Sequence, residues 1–173
     1  MSFLNSYNSN ILTYDLINKF HFVSTNTLTQ TPQIIIQIFL KDKSLKQLLK
    51  CVLALHLITL DRLKIKITVK KGTIHNCKIT IKKKFIYLFL SKFLWKIHPL
   101  IIDTVKKKSN TMYNIKNLNF FFFEINRVFV FKELEQYFEF FKTLKVIRVH
   151  FILTSSNYKT IYSKFLFRSF KLL

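Results

Sequence analysis

Between Leu63 and Ile81 apolar and polar residues alternate with a period of two, with one interruption. Leu63, Ile65, Ile67 and Val69 alternate with Lys64, Lys66, Thr68 and Lys70, and Cys77, Ile79 and Ile81 alternate with Lys78, Thr80 and Lys82. Successive side chains of a strand point to opposite faces, so each run has one apolar and one lysine-rich face. Between the runs stands Gly72, the single glycine of the chain. Two half-buried strands joined by a glycine-containing loop predict a basic β-hairpin over about 63–82.

The flanking segments predict the rest of the fold. Ile11, Leu12, Leu16, Ile17 and Phe20 recur at helical spacing, and Asn8 to Asn10 offer capping oxygens, so a helix is expected over about 10–21. The isoleucine-rich run "QIIIQIFL" after Pro32 reads as a buried strand. Asp42 then caps a helix that presents Leu45, Leu48, Leu49, Val52 and Leu53 on one face. Phe85 to Ile97 returns to helical spacing and is expected to stop at His98, before Pro99. Phe120 to Phe131 and Lys145 to Leu153 read as strands, "EQYFEFF" as a short helix or turn, and Tyr158 to Phe167 as a closing helix. Together these predict an α+β fold, a mostly antiparallel sheet with helices packed on one side, in a single domain covering 1–173.

Charge narrows the function. Twenty-nine Lys and Arg stand against eight Asp and Glu, a formal net charge of +21. Such an excess repels itself unless a polyanion neutralises it, and nucleic acid is the first such partner to consider. From Arg62 to Phe123 there are fifteen basic residues and one acidic residue, Asp103, whereas all four glutamates lie between Glu124 and Glu139. The strand alternation gathers Lys64, Lys66, Lys70, Lys78 and Lys82 on one hairpin face. Lys71, Lys83, Lys84, Lys106, Lys107 and Lys108 extend the candidate RNA-binding patch. Lys82 to Lys84 also stand at a helix N-terminus, where the helix dipole disfavours positive charge, which suggests an external anion there.

Other chemistry finds little support. His75 and Cys77 have metal-ligand chemistry, but Cys51, His56 and His98 lack metal-type spacing, and Cys77 opens the apolar face of a strand. No metal, cofactor or catalytic residue is assigned: one glycine rules out the phosphate-binding glycine motifs, and the acids follow no general acid–base pattern. Two cysteines make no disulfide framework. No run is long and apolar enough for a membrane span, and no signal or transit peptide is visible. The four phenylalanines of "NFFFFEI" read as core on one face and a protein interface on the other, with base stacking as the alternative. Twenty Phe, one Gly and an excess of Lys over Arg suggest A+T-rich codons, as in an organellar genome.

Several strings, in order, resemble the large-subunit ribosomal protein five family, the 5S-rRNA-binding protein of the central protuberance. Gly72 followed by Cys77, Lys78, Ile79, Thr80 and Ile81 matches one family pattern, and Pro99, Ile101 and Asp103 match another. "VFKEL" (Val130 to Leu134), "TLKVIRVHFILTSS" and the N-terminal "YNSNILTYDLINKFHF" are colinear with family segments. The resemblance implies a non-enzymatic constituent of the large ribosomal subunit, bound to 5S or large-subunit rRNA and to neighbouring ribosomal proteins, in a mitochondrion whose own genome encodes it. It also implies a loop facing P-site tRNA, at Lys71, Gly72, Thr73, Ile74, His75 and Asn76. The sequence departs from the family in lacking its glycine-rich turn near Phe39 to Asp42, in a shortened loop, and in "TVKKK" where the family has Phe-Arg-Gly. The alternative from another class is a degenerate organellar intron endonuclease or maturase fragment.

Overall fold

The computed structural model describes residues 3–20, 33–40, 44–59, 65–70, 73–82, 84–101, 120–152, 165 and 168–170. Five strands form one antiparallel sheet: β1 (Gln33–Phe39), β2 (Ile65–Lys70), β3 (Thr73–Ile81), β4 (Phe120–Ile125) and β5 (Ile147–Ile152), in spatial order β2-β3-β1-β5-β4. The α+β class, with an antiparallel sheet and helices on one side, is as the residue pattern predicts.

Alternation decides which face is buried. Ile34, Ile36 and Ile38 of β1, Cys77, Ile79 and Ile81 of β3, Phe123 and Ile125 of β4, and Ile147, Val149 and Phe151 of β5 are all buried, and they form one core with the helices. The residues between them are intermediate or exposed.

The first helical stretch is α1 (Phe3–Tyr7), a π-helical turn (Asn8–Leu12) and α2 (Thr13–Phe20). It begins well before the expected boundary at 10. Asn8 to Asn10 lie inside it, because Leu4, Leu12 and Leu16 form a single buried stripe that makes the earlier turns worth forming. The π turn carries Thr13 Oγ1 donating to the Asn8 carbonyl at 2.7 Å.

Helix α3 (Leu45–Thr59) is capped by Ser44, whose Oγ accepts from the Gln47 amide at 3.3 Å; the expected cap, Asp42, lies outside the described residues. The expected core face is corrected here. Gln47, Cys51, Ala54, Leu55 and Ile58 are buried, and of the expected face Leu48 and Val52 pack partly buried against the core, whereas Leu45 is 71% exposed and Leu49 and Leu53 are also exposed. The helix is apolar on most sides, so periodicity alone could not choose a face. Contact with β3 did, placing the small residues Cys51 and Ala54 where the backbones approach.

Helix α4 (Lys84–Lys92) continues through a π-helical turn (Phe93–Ile97) and on to 101, past the stop expected at Pro99. A proline clashes with the carbonyl four residues back in a regular helix. The wider π turn over Phe93–Ile97 is the kind of irregularity that accommodates it. Its buried face is Ile86, Tyr87, Phe89, Leu90, Phe93, Ile97 and Ile101.

Beyond β4, which ends at Ile125 and not at the expected 131, come a 3-10 turn (Val128–Val130) and two short helices, α5 (Lys132–Glu135) and α6 (Phe138–Phe141). Most of the expected closing helix, Tyr158 to Phe167, lies outside the described residues; Phe165 is helical. Among the described residues no helix is long and apolar enough to cross a membrane.

Candidate nucleic-acid interface

The described helices contact the sheet through its apolar face. The Phe93 ring meets Phe123 at a tilt and Phe151 edge-on, and Cys51 of α3 meets Cys77 of β3. The opposite face therefore presents the alternate residues of every strand. Register places them in rows across the sheet. Lys66 pairs with Lys78, Lys78 with Gln37, Gln37 with Arg148, and Arg148 with Glu124. The neighbouring row is Thr80, Ile35, His150 and Phe122.

Lys66 and Lys78 are thus like charges directly across a strand pair, an arrangement that opposes folding of the hairpin by itself. Lys82, exposed just beyond β3, follows Lys78 and Thr80 on the same alternation. Of the lysines expected to form the patch, these three are brought together. Lys64, Lys71, Lys83, Lys106, Lys107 and Lys108 lie outside the described residues, as do the side chains of Lys70 and Lys84.

The expected loop at 71–76 is corrected. Lys71 and Gly72 lie outside the described residues, but Thr73 to Asn76 belong to β3, so His75 is a strand residue and not a loop tip. The register shifts between Thr68 and Val69: Asn76 pairs with Thr68 and Ile74 with Val69, which leaves His75 as the extra residue of a β-bulge. The bulge breaks strict alternation, which is why the sequence read this stretch as loop.

Four residues of this face had no place in the expected patch. Arg148 and His150 sit on β5, and Gln37 and Phe39 on β1. The Arg148 guanidinium lies 4.5 Å from the Phe39 ring and 6.0 Å from the Phe122 ring, while its Nε donates to Glu124 Oε2 at 2.7 Å. The Phe122 ring also lies 5.7 Å from the His150 ring. His150 Nε2 is 3.2 Å from Gln37 Oε1, a separation suited to Nε2–H donating. Alternation in "VIRVHFI" puts Arg148 and His150 together, but only the strand order places that face beside the lysines. Asn76, next to Phe39 in register, has a buried Oδ1 with no donor among the described residues.

Burial, Arg148 and Lys78 hold the His150 imidazole below its ordinary pKa of 6.5, and burial does the same to His98. Above 6.5 both are neutral folded or unfolded. Below it the unfolded chain takes up protons that the folded protein resists, so stability is lost as pH falls from 6.5 toward the lower folded values. Urea midpoints should therefore drop between pH 7.5 and 5.5, and His150→Gln should reduce that drop. Equal slopes for both proteins would remove His150 from the account.

Cys77 is buried against Cys51, and both thiols are free. The hydrogen bond with Cys77, together with burial, pushes the Cys51 thiol up, so that it stays protonated. Among the described residues no three His, Cys, Asp or Glu side chains converge as metal ligands. A separate cavity of about 460 Å3 lies on the helical side, lined by Phe3, Tyr7, Trp95, His98 and Phe170 among others.

No family model matches the chain, and no curated protein matches it. Solved structures that match include a DUF54 protein from Methanothermobacter thermautotrophicus, 8% identical over 80% of this chain and 96% of that one, with a TM-score of 0.43. A UPF0201 protein from Methanococcus jannaschii is 14% identical over 80% of this chain and 98% of that one, with a TM-score of 0.41. At such values the likeness transfers no activity to this chain.

These findings overturn the resemblance to the ribosomal protein five family. No family model or curated protein supports it, and the matching solved structures carry other family names, so the ribosomal assignment and the mitochondrial location it implied are withdrawn with it. The matching strings were short and made of Lys, Ile, Thr and Phe, the residues that fill this chain throughout. Colinear order of amphipathic elements is shared by many α+β domains.

Proposed function

We propose that the protein is a non-catalytic nucleic-acid-binding domain that grips a phosphate backbone with the face of its sheet opposite the helices. The observation that carries this reading is the juxtaposition of Lys66 and Lys78 across the β2–β3 pair, with Lys82 on the same face. Opposed lysines cost the isolated fold and gain from an anion between them. The net charge of +21 makes the anion a polymer, since a small one would leave most of the repulsion in place. Glu124 is the acid on the described part of this face, and it is held by Arg148 at the far edge from the lysines.

Binding of this kind is read by its salt dependence. Each phosphate contact contributes roughly 0.7 to 0.9 to the slope of log affinity against log salt. Replacing Lys66, Lys78 and Lys82 together with Gln should lower the slope by roughly two to three and weaken binding at low salt by at least tenfold. Fluorescence anisotropy with a labelled oligonucleotide between 50 and 200 mM salt measures both. Wild-type affinity and slope in the triple variant would show that this face does not meet the phosphates.

A further inference from the structure

We infer that the nucleic acid held on this face is single-stranded, with its unpaired bases stacked on Phe39 and Phe122 and on the guanidinium of Arg148. The inference rests on the phosphate-binding reading and adds the class of strand and the residues that take its bases.

Position comes first. Phe39 is on β1, adjacent to β3, which carries Lys78 and has Lys82 just beyond its end, and Phe122 is on β4, two strands further on. Both lie on the face away from the helices: Phe39 continues the Gln33, Ile35, Gln37 set of β1, and Phe122 pairs with His150, whereas its neighbour Phe123 is in the core. Strands in a sheet are about 4.8 Å apart, so Phe39 lies one strand and Phe122 three strands, about 14 Å, from the strand of Lys78, and a chain laid across the sheet from the lysines passes both rings.

Chemistry comes second. A duplex buries its base faces in its own stack and offers protein phosphates and groove edges, for which lysines suffice. Aromatic rings beside the cations of this sheet face add nothing to that contact. Unpaired bases present π-faces, and they stack on aromatic side chains and on arginine planes with little regard to sequence. Arg148 lies within 6.0 Å of both ring centroids, so three planar groups share one small area. Gln37 and His150, joined at 3.2 Å in the middle of that area, supply the amide and imidazole edges that can meet a base edge.

The alternative for two phenylalanines on a sheet face is a protein partner. The face argues for nucleic acid because the rings are interleaved with cations: Lys78 and Arg148 lie two residues along the strands, the next position on this face, from the pairs that hold Phe39 and Phe122. An apolar protein surface would have to desolvate Lys78 without pairing it and bury the Arg148–Glu124 ion pair as well.

The test uses the full chain and three labelled probes: a twelve-residue oligouridine, an abasic strand of the same length, and a twelve-base-pair duplex. Wild-type protein should bind oligouridine more tightly than the abasic strand. Phe39→Leu and Phe122→Leu should each weaken oligouridine binding by roughly tenfold or more. Both should leave abasic-strand binding unchanged, which also shows that they fold. Equal affinity of wild type for the uridine and abasic strands, or undiminished uridine binding by both variants, overturns the stacking while leaving the lysine contact standing. A duplex bound more tightly than the single strand does the same. Wild-type protein that binds none of the three probes overturns the phosphate reading as well.

Discussion

Replacing Phe93 with alanine should destabilise the protein by about 3–5 kcal/mol, the largest loss expected from any single truncation in the core. Phe93 is fully buried, and its ring centroid lies 5.1 Å from that of Phe123 and 5.2 Å from that of Phe151, with Phe89 at 6.1 Å and His98 at 6.2 Å. One ring therefore joins the helix to β4 and β5. Truncation removes the transfer free energy of the side chain and leaves a cavity among rigid rings that cannot collapse into it. A domain of this size has roughly 5–15 kcal/mol in total, so the melting temperature should fall by roughly 10 °C. Phe93→Leu, which keeps most of the volume, should cost much less. Thermal denaturation followed by circular dichroism measures both, and a loss below about 1 kcal/mol in Phe93→Ala would mean that the helix does not rest on the sheet as described.

Lys92→Met should cost about 2–3 kcal/mol although it keeps the length of the side chain. Lys92 Nζ donates to Glu133 Oε1 at 2.8 Å and to the Ile58 carbonyl at 3.0 Å, and it lies 6.0 Å from the Phe131 ring centroid. The ammonium thus ties the end of α4 to the last turn of α3, whose carbonyls have no helical partner, and to α5. The two side chains are only 18% and 28% exposed, which separates this pair from the solvated ion pairs of the surface. Without the ammonium, Glu133 keeps a partly buried charge with no counterion, and its Oε2 already lacks a donor among the described residues. The double variant Lys92→Met, Glu133→Leu should recover most of the loss, because removing both charges also removes their desolvation cost. Urea denaturation of the four proteins gives the coupling between the two residues. Simple additivity would show that they act independently.

The hairpin strands, the β1 strand and the existence of the first three long helices were legible in the residue pattern, because a period of two or 3.6 is a local property. The candidate site was half legible. Lys66, Lys78 and Lys82 share a face by alternation within one hairpin, and contiguous residues determine that. Phe39, Gln37, Arg148 and His150 reach the same face only because β1 and β5 take the centre of the sheet, between β3 and β4. No local rule carries that information.

Chain chemistry also misled in places. Helix α3 offered apolar residues on several sides, and the leucines that look most like a core stripe, Leu45, Leu49 and Leu53, are exposed. The helix through Phe93–Ile97 passed Pro99 because a π turn altered the hydrogen-bond ladder ahead of it. His75 fell out of the alternation through a bulge, not a loop. Each error is a case of tertiary packing or a one-residue irregularity overriding a periodic signal.

By itself the amino-acid sequence determined that this chain forms an α+β fold with a lysine-faced hairpin and a net charge of +21. Alternation and net charge need no knowledge of distant residues. Only the tertiary structure decided which helix face is buried and which aromatic and basic residues stand beside those lysines. Strand order and the close approach of helix to sheet arise from contacts between residues far apart in the chain, and these are written in no short stretch of it.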